Sequence, residues 1–324
     1  MPAVDRRGFL IGALTCAGAL PARSQNERAQ TFLAGLVLGS GGAAGRMGAP
    51  GAAGGPPPAA SGGAARFESF WRACDDCSRL GVHYIEVNNT YRQIMEAYES
   101  RISEFRDELA KRGLTLLGLA VYSHMHRRAE RQELIDYHLR LARFLQSVGG
   151  TYVAQLLAPG ENLGNADDES YRNTDLKATI ASADEVGKRM REETGTRIGY
   201  HPEQGDIRTG IYDRLLDSTD ARYFGFMPDI GHLAACGLDP IEIYRKYRSR
   251  MIGTHLRDFA PATEPGPGGQ PGRGRMVPFG TGTIKLPALV ESLRETKFAG
   301  AVMAEGGGIE AVRDYMVGTL KIKL

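Results

Sequence analysis

The chain has 324 residues, enough for a large core and within the size that one α/β barrel occupies. Its 40 basic and 38 acidic side chains leave a formal charge of +2, so there is no surplus of cations to neutralise a phosphate backbone. Nucleic acid is therefore excluded as a natural partner, and a small molecule is expected instead.

The chain opens with Asp5, Arg6, Arg7, Gly8, Phe9 and Leu10, a short apolar stretch to Leu20 and a small-residue exit at Ala22 and Ser24. This is the grammar of a twin-arginine signal over residues 1–24, which carries folded proteins across the bacterial membrane. It predicts a periplasmic protein that folds before export. The apolar run is too short to span a bilayer, so no stable membrane span is expected after signal removal. Thr15 before Cys16 argues against a lipid anchor.

A first strand, TFLAGLVLGS, is followed from Gly41 to Ala65 by Gly, Ala and Pro with almost no large apolar residue. Such a segment cannot bury enough surface to offset its ordering entropy and is expected to be a flexible loop after strand 1, within a single domain over residues 25–324. Cys74 and Cys77 then form a C-x-x-C pair inside FESFWRACDDCSRLG, whose apolar spacing is that of an amphipathic helix. With no second C-x-x-C in the chain, packing on a helix face is favoured over zinc or redox chemistry.

Further strands are expected at Val82 to Asn88, Leu114 to Tyr122, Thr151 to Leu157, Arg197 to Glu203, Tyr223 to Asp229, Met251 to Asp258 and Gly300 to Glu305. Helical patterns lie at Tyr98 to Arg112, Ala129 to Ser147, Tyr171 to Glu193, Asp239 to Tyr247, Leu286 to Thr296 and Ile309 to Leu320. The alternation implies a parallel sheet, and eight units imply closure into a (β/α)8 barrel. No Gly-rich dinucleotide fingerprint follows an early strand, which counts against an open Rossmann sheet.

Barrel enzymes keep their sites at the C-terminal ends of the strands, and polar residues collect there in the last four. Period-2 alternation in RIGYHPEQGD turns Gly199, His201 and Glu203 one way and Ile198 and Tyr200 the other. In the same manner YFGFMPDIGH delivers Asp229, with His232 just beyond. MIGTHLRD delivers His255 and then Arg257, and GAVMAEGG delivers Glu305. Carboxylate oxygen with imidazole nitrogen and no thiolate suits one divalent ion, Mn²⁺, Co²⁺, Zn²⁺ or Mg²⁺. The expected metal ligands are His201 or Glu203 from the fifth strand, with Asp229, His255 and Glu305. Glu86, Asn88 and Gln155 fall on inward phases as hydrogen-bond partners for a polyol, and Gly199, Gly225 and Gly253 are expected to clear space beneath the site.

From about Phe67 to Glu305 the chain resembles the xylose-isomerase-like sugar isomerase and epimerase superfamily, in its inosose-dehydratase-like branch. YHPEQGD, PDIGHLAACGLDPIEIYRKYRSRM, THLRDF, VPFGTGTIKLPALVESL and AVMAE carry the resemblance in order and spacing. It implies a TIM barrel whose metal site falls on a fifth-strand residue, Asp229, His255 and Glu305. His232 would then be a substrate-contacting neighbour, and Arg257 would stand where relatives usually have Lys. Aligned on that motif, His201 takes the ligand place and Glu203 the place of a second His, as the base.

The implied chemistry is proton transfer beside the carbonyl of a ketose or keto-sugar, with Glu203, Glu305 and His232 as catalytic groups and Glu86, Gln155 and Arg257 binding substrate. Returning the proton isomerises or epimerises the sugar. Expelling a β-hydroxyl makes the enzyme a dehydratase or other lyase, of the inosose-dehydratase type or acting on 3-keto-glycosides. A non-catalytic sugar-binding barrel is the rival from another class, but it would not need both Asp229 and Glu305. A trinuclear phosphodiesterase of the endonuclease IV type is disfavoured, because only seven His are present and His83, His124 and His126 sit away from the other ligands.

Overall fold

The computed structural model describes residues 29–39, 63–88, 90–159, 167–264 and 274–324. The twin-arginine segment and nearly all of the Gly41–Ala65 stretch lie outside the described residues.

Eight parallel strands form the barrel: β1 (Leu33–Leu38), β2 (Tyr84–Val87), β3 (Thr115–Ser123), β4 (Tyr152–Leu157), β5 (Arg197–Tyr200), β6 (Phe224–Phe226), β7 (Gly253–Leu256) and, at the end of the chain, β10 (Ala301–Ala304). They pair in the order β6-β5-β4-β3-β2-β1-β10-β7. Parallel bridges Phe226 to Met251 and Asp229 to His255 bring β6 and β7 together and close the ring. Closure thus places Asp229 and His255 side by side.

Alternation along each strand divides the molecule into two apolar layers. Ile198, Tyr200, Phe224 and Phe226 face outward into the layer beneath the helices. Leu117, Tyr152, Ala154, Met227, Ile252 and Met303 fill the barrel interior. The inward glycines serve this interior: a Cβ at Gly199 would lie 2.6 Å from Ile252, one at Gly225 2.5 Å from it, and one at Gly253 3.1 Å from Met227. They make room for the apolar plug on which the polar site rests.

Helices cover the outside, and their ends follow local chemistry. The helix Leu176–Thr194 starts at Asp175, whose carboxylate accepts from Ala178 N–H, and ends at Gly195, whose φ of 74° suits glycine. Asp239 caps the helix Pro240–Tyr247 ahead of a proline in its first turn.

Several boundaries differ from expectation. The first helix, Gly63–Arg79, begins before the end of the stretch read as loop. The pattern at Tyr98 to Arg112 is a helix Tyr91–Tyr98, one 3-10 turn and a helix Ile102–Lys111. The pattern beginning at Tyr171 is broken between Asp168–Arg172 and Leu176–Thr194. Short helices Gln204–Arg208, Ile211–Ser218 and Ile230–Ala235 follow β5 and β6, where none was expected. Beyond β7, strands β8 (Asp258–Ala260) and β9 (Arg275–Val277) pair antiparallel. The Asp258 carboxylate accepts from the N–H groups of Phe259, Gly280 and Gly282 and so ties down the loop after β9.

Cys74 and Cys77 are free thiols buried in the outer core. Burial pushes the Cys77 thiol up to about 12. They pack as apolar side chains, as the helix spacing implied.

Candidate active site

The site is a ring of polar side chains on the C-terminal rim of the barrel. His201 follows β5, its N–H bonded to Gln155 O. Asp229 follows β6, His255 lies within β7, and Glu305 follows β10 with its N–H on Leu256 O. One donor atom from each of these four lies within 4.8 Å of the others, and all four residues are buried. His201 Nε2 is 3.0 Å from His255 Nδ1, which is in turn 3.0 Å from Glu305 Oε2. Glu203 is outside this group and forms a second cluster with His201 and His232. Of the two fifth-strand alternatives, His201 is the one that joins Asp229, His255 and Glu305.

Asp229 divides its carboxylate between two tasks. Oδ1 accepts from Gly231 N–H at 2.7 Å and caps the helix Ile230–Ala235. Oδ2 is buried and makes no hydrogen bond, although Arg257 Nε stands 3.2 Å away. Arg257 also pairs through Nη2 with Glu305 Oε1 and approaches His232 Nε2 at 3.4 Å.

Electrostatics follow from this crowding. Burial and the neighbouring His255 push His201 down to about 4. His255 is raised to about 10, because Glu86 and Glu305 outweigh the burial that opposes its charge. Burial works against ionisation of Glu305 too, but His255 and Arg257 hold it well below the usual carboxylate range. Asp229 is likewise lowered against its burial, by Arg257 and His232.

These groups fit a divalent cation. Three buried carboxylates, Glu86, Asp229 and Glu305, surround a single guanidinium and the His255 ring, and it is their surplus negative charge that raises His255; a bound cation would take over that compensation. The nitrogens of His201 and His255 approach to hydrogen-bond distance, and Asp229 Oδ2 has a free lone pair beside them. Nitrogen and carboxylate donors without thiolate suit Mg²⁺, Mn²⁺, Co²⁺ or Zn²⁺.

Glu203 stands at the edge of the ring with a quarter of its side chain exposed. Tyr122 OH donates to Oε1 at 2.7 Å, and His232 Nδ1 lies 3.4 Å from Oε2. Burial and Glu203 push the Tyr122 hydroxyl up, which keeps it a donor. Tyr122 was not among the residues expected in the site. Its inward phase on β3 was the available signal, masked because its ring also suits a barrel interior.

Two expected substrate contacts lie elsewhere. Gln155 faces away from the mouth: Tyr152, Ala154 and Leu156 are the inward residues of β4, and Gln155 is spent on Ser123 Oγ, Leu156 O and the buried His138. Its phase along β4 is opposite to the inward one expected, a shift of one residue. Glu86 does point inward but is fully buried beneath His255.

Asp206, in the turn after Glu203, accepts from Tyr200 OH at 2.6 Å and from Glu203 N–H at 2.8 Å. Burial pushes its carboxyl up to about 8. An unfolded aspartate ionises near ~3.9, so between that and about 8 the unfolded chain is the one that has lost the proton. Stability from this group is therefore expected to fall as pH rises through that window. Urea midpoints at about pH 5 and about pH 9 for the protein and for Asp206→Asn test this. Equal pH slopes in the two proteins would show that Asp206 is not the source.

The family described as "Xylose isomerase-like TIM barrel" matches residues 74–315. Inosose dehydratase of Lacticaseibacillus casei is 33% identical over 95 residues, 28% of this chain and 32% of the relative. Such matches span only a quarter to a third of the curated relatives' length. Among solved structures, the fold is similar to 3-keto-D-glucoside 4-epimerase YcjR from E. coli, with TM-score 0.56, 16% identity and coverage of 90% of this chain and 100% of that one. It is also similar to a xylose isomerase-like TIM barrel protein from Mycobacterium smegmatis in complex with magnesium, with TM-score 0.58, 19% identity and coverage of 78% and 88%. The chain belongs to the xylose isomerase-like TIM barrel family.

Proposed function

We propose that this protein is a divalent-metal-dependent enzyme that removes a proton from carbon beside the carbonyl of a ketose or keto-sugar, and that it acts as an isomerase or epimerase. The observation that carries this reading is a partly exposed carboxylate, Glu203, beside but outside a four-donor group of two imidazoles and two carboxylates. Such a site separates charge stabilisation from proton removal.

His201, Asp229, His255 and Glu305 would hold the ion. Bound there, it supplies positive charge next to the oxygen on which negative charge builds as the C–H bond breaks. Glu305 has its oxygens engaged by His255 and Arg257, so it serves chiefly to hold the ion. Glu203 has one oxygen fixed by Tyr122 and the other near His232, and acts as the base. His232, between Glu203 and Arg257, is placed to pass a proton or orient a substrate hydroxyl. Arg257 contributes a second fixed positive charge at the mouth.

Dehydration is the second reading, favoured by the 33% identity to inosose dehydratase. It begins with the same proton removal and ends with loss of a β-hydroxyl. Residues 1–24, read as a twin-arginine signal, would place the work outside the cytoplasm.

Incubation of the metal-loaded protein with ketoses, inososes and 3-keto-glycosides in D₂O tests the proposal. Under the first reading deuterium should enter carbon next to the carbonyl, with isomer or epimer as product; under the second, loss of the proton and the β-hydroxyl as water should leave an unsaturated ketone. Absence of both exchange and turnover across the whole panel refutes the proton-transfer assignment.

A further inference from the structure

Glu86 is a carboxylate with no access to solvent, in the barrel interior below the rim. Burying such a charge is costly unless it is paired and hydrogen-bonded. Its two oxygens lie 2.9 and 3.0 Å from His255 Nε2, and Tyr152 OH donates to Oε2 at 2.5 Å. Tyr152 is itself buried, its ring lying where a side chain at Gly118 would be: a Cβ there would stand 2.3 Å from the ring. Strands β2, β3, β4 and β7 thus build a line running from Tyr152 through Glu86 to His255.

The direction of the hydrogen bonds determines what this line does. An ionised carboxylate only accepts, so His255 Nε2 must carry the hydrogen that faces Glu86. The other ring nitrogen, Nδ1, faces Glu305 Oε2 and His201 Nε2 at 3.0 Å each, and a cation held there would take the place of its proton. We infer that Glu86, held by Tyr152, is a positioning residue that fixes the ring orientation and tautomer of His255 for cation binding. This rests on the metal-site reading above. It makes Glu86 and Tyr152 determinants of metal affinity that never touch substrate.

Competition between the protein and a chromophoric chelator for Zn²⁺ measures the effect directly. Glu86→Gln keeps the size of the side chain but removes the charge, and should weaken Zn²⁺ binding by about 10–100-fold, with Tyr152→Phe giving a smaller loss. Imidazole ¹⁵N shifts of the Zn²⁺-loaded wild-type protein should show His255 protonated at Nε2 and liganded at Nδ1. A wild-type protein that takes up Zn²⁺ while Glu86→Gln binds it equally well overturns the inference and leaves the metal site standing. So does a ring protonated at Nδ1, a result that does not depend on either variant folding. A wild-type protein that takes up no Zn²⁺ overturns the metal-site reading and the inference with it.

Discussion

Asp229→Asn is expected to cost the protein its metal while leaving its fold intact. The asparagine retains a side-chain oxygen that can accept from Gly231 N–H, so the cap on the helix Ile230–Ala235 survives. What it loses is the negative charge at Oδ2, the buried oxygen without a hydrogen bond beside His201 and His255. Substitutions of residues that merely orient a ligand weaken binding by about 10–100-fold, so removal of a charged ligand should exceed about 100-fold. Equilibrium dialysis with metal analysis, alongside circular dichroism to confirm folding, gives the answer. A folded Asp229→Asn protein with wild-type metal content would remove Asp229 from the ligand set. Asp229→Ala is a poorer test, because it also forfeits the cap, worth about 1 kcal/mol.

Glu203→Gln should separate chemistry from metal binding. Glu203 lies outside the four-donor group, so the variant is expected to hold its ion at wild-type stoichiometry. The amide can still accept from Tyr122 OH, which preserves local geometry. It cannot take a proton at neutral pH, and the loss in kcat should be on the order of 10²–10⁴-fold, the usual contribution of a positioned general base. KM should change little if Glu203 acts only as the carbon–hydrogen bond breaks. Solvent exchange by single-turnover NMR reads the step itself. Retention of wild-type exchange would reassign the base, with His232 the nearest remaining candidate. Loss of the ion together with activity would instead make Glu203 a ligand.

The barrel was legible from the sequence because its signals are local. Apolar strands alternating with amphipathic helices impose parallel pairing, and each strand sorts its own side chains by parity. The outward phases of Ile198, Tyr200, Phe224 and Phe226 follow from this directly. The twin-arginine reading and the Gly-rich stretch are equally local in origin and lie outside the described residues. The short helices Gln204–Arg208 and Ile230–Ala235 were not legible, since five or six residues carry too little periodicity to register.

Within the site the division runs along the same line. Sequence alone determined that Asp229, His255 and Glu305 end successive inward phases, and that His201 and Glu203 share one. Only the tertiary structure shows which of those two stands within reach of Asp229, His255 and Glu305, because this depends on how far each residue stands above the barrel, which is set by the stagger of neighbouring strands. It also decided that Gln155 belongs to the helix side, where its partner His138 comes from the helix Arg131–Ser147. A polar side chain does not announce in sequence whether it meets water, substrate or a buried partner. Glu86 shows this most fully: its inward phase was readable, but its place beneath His255, 169 residues further along the chain, depends on the closure of β7 against β10 and β6.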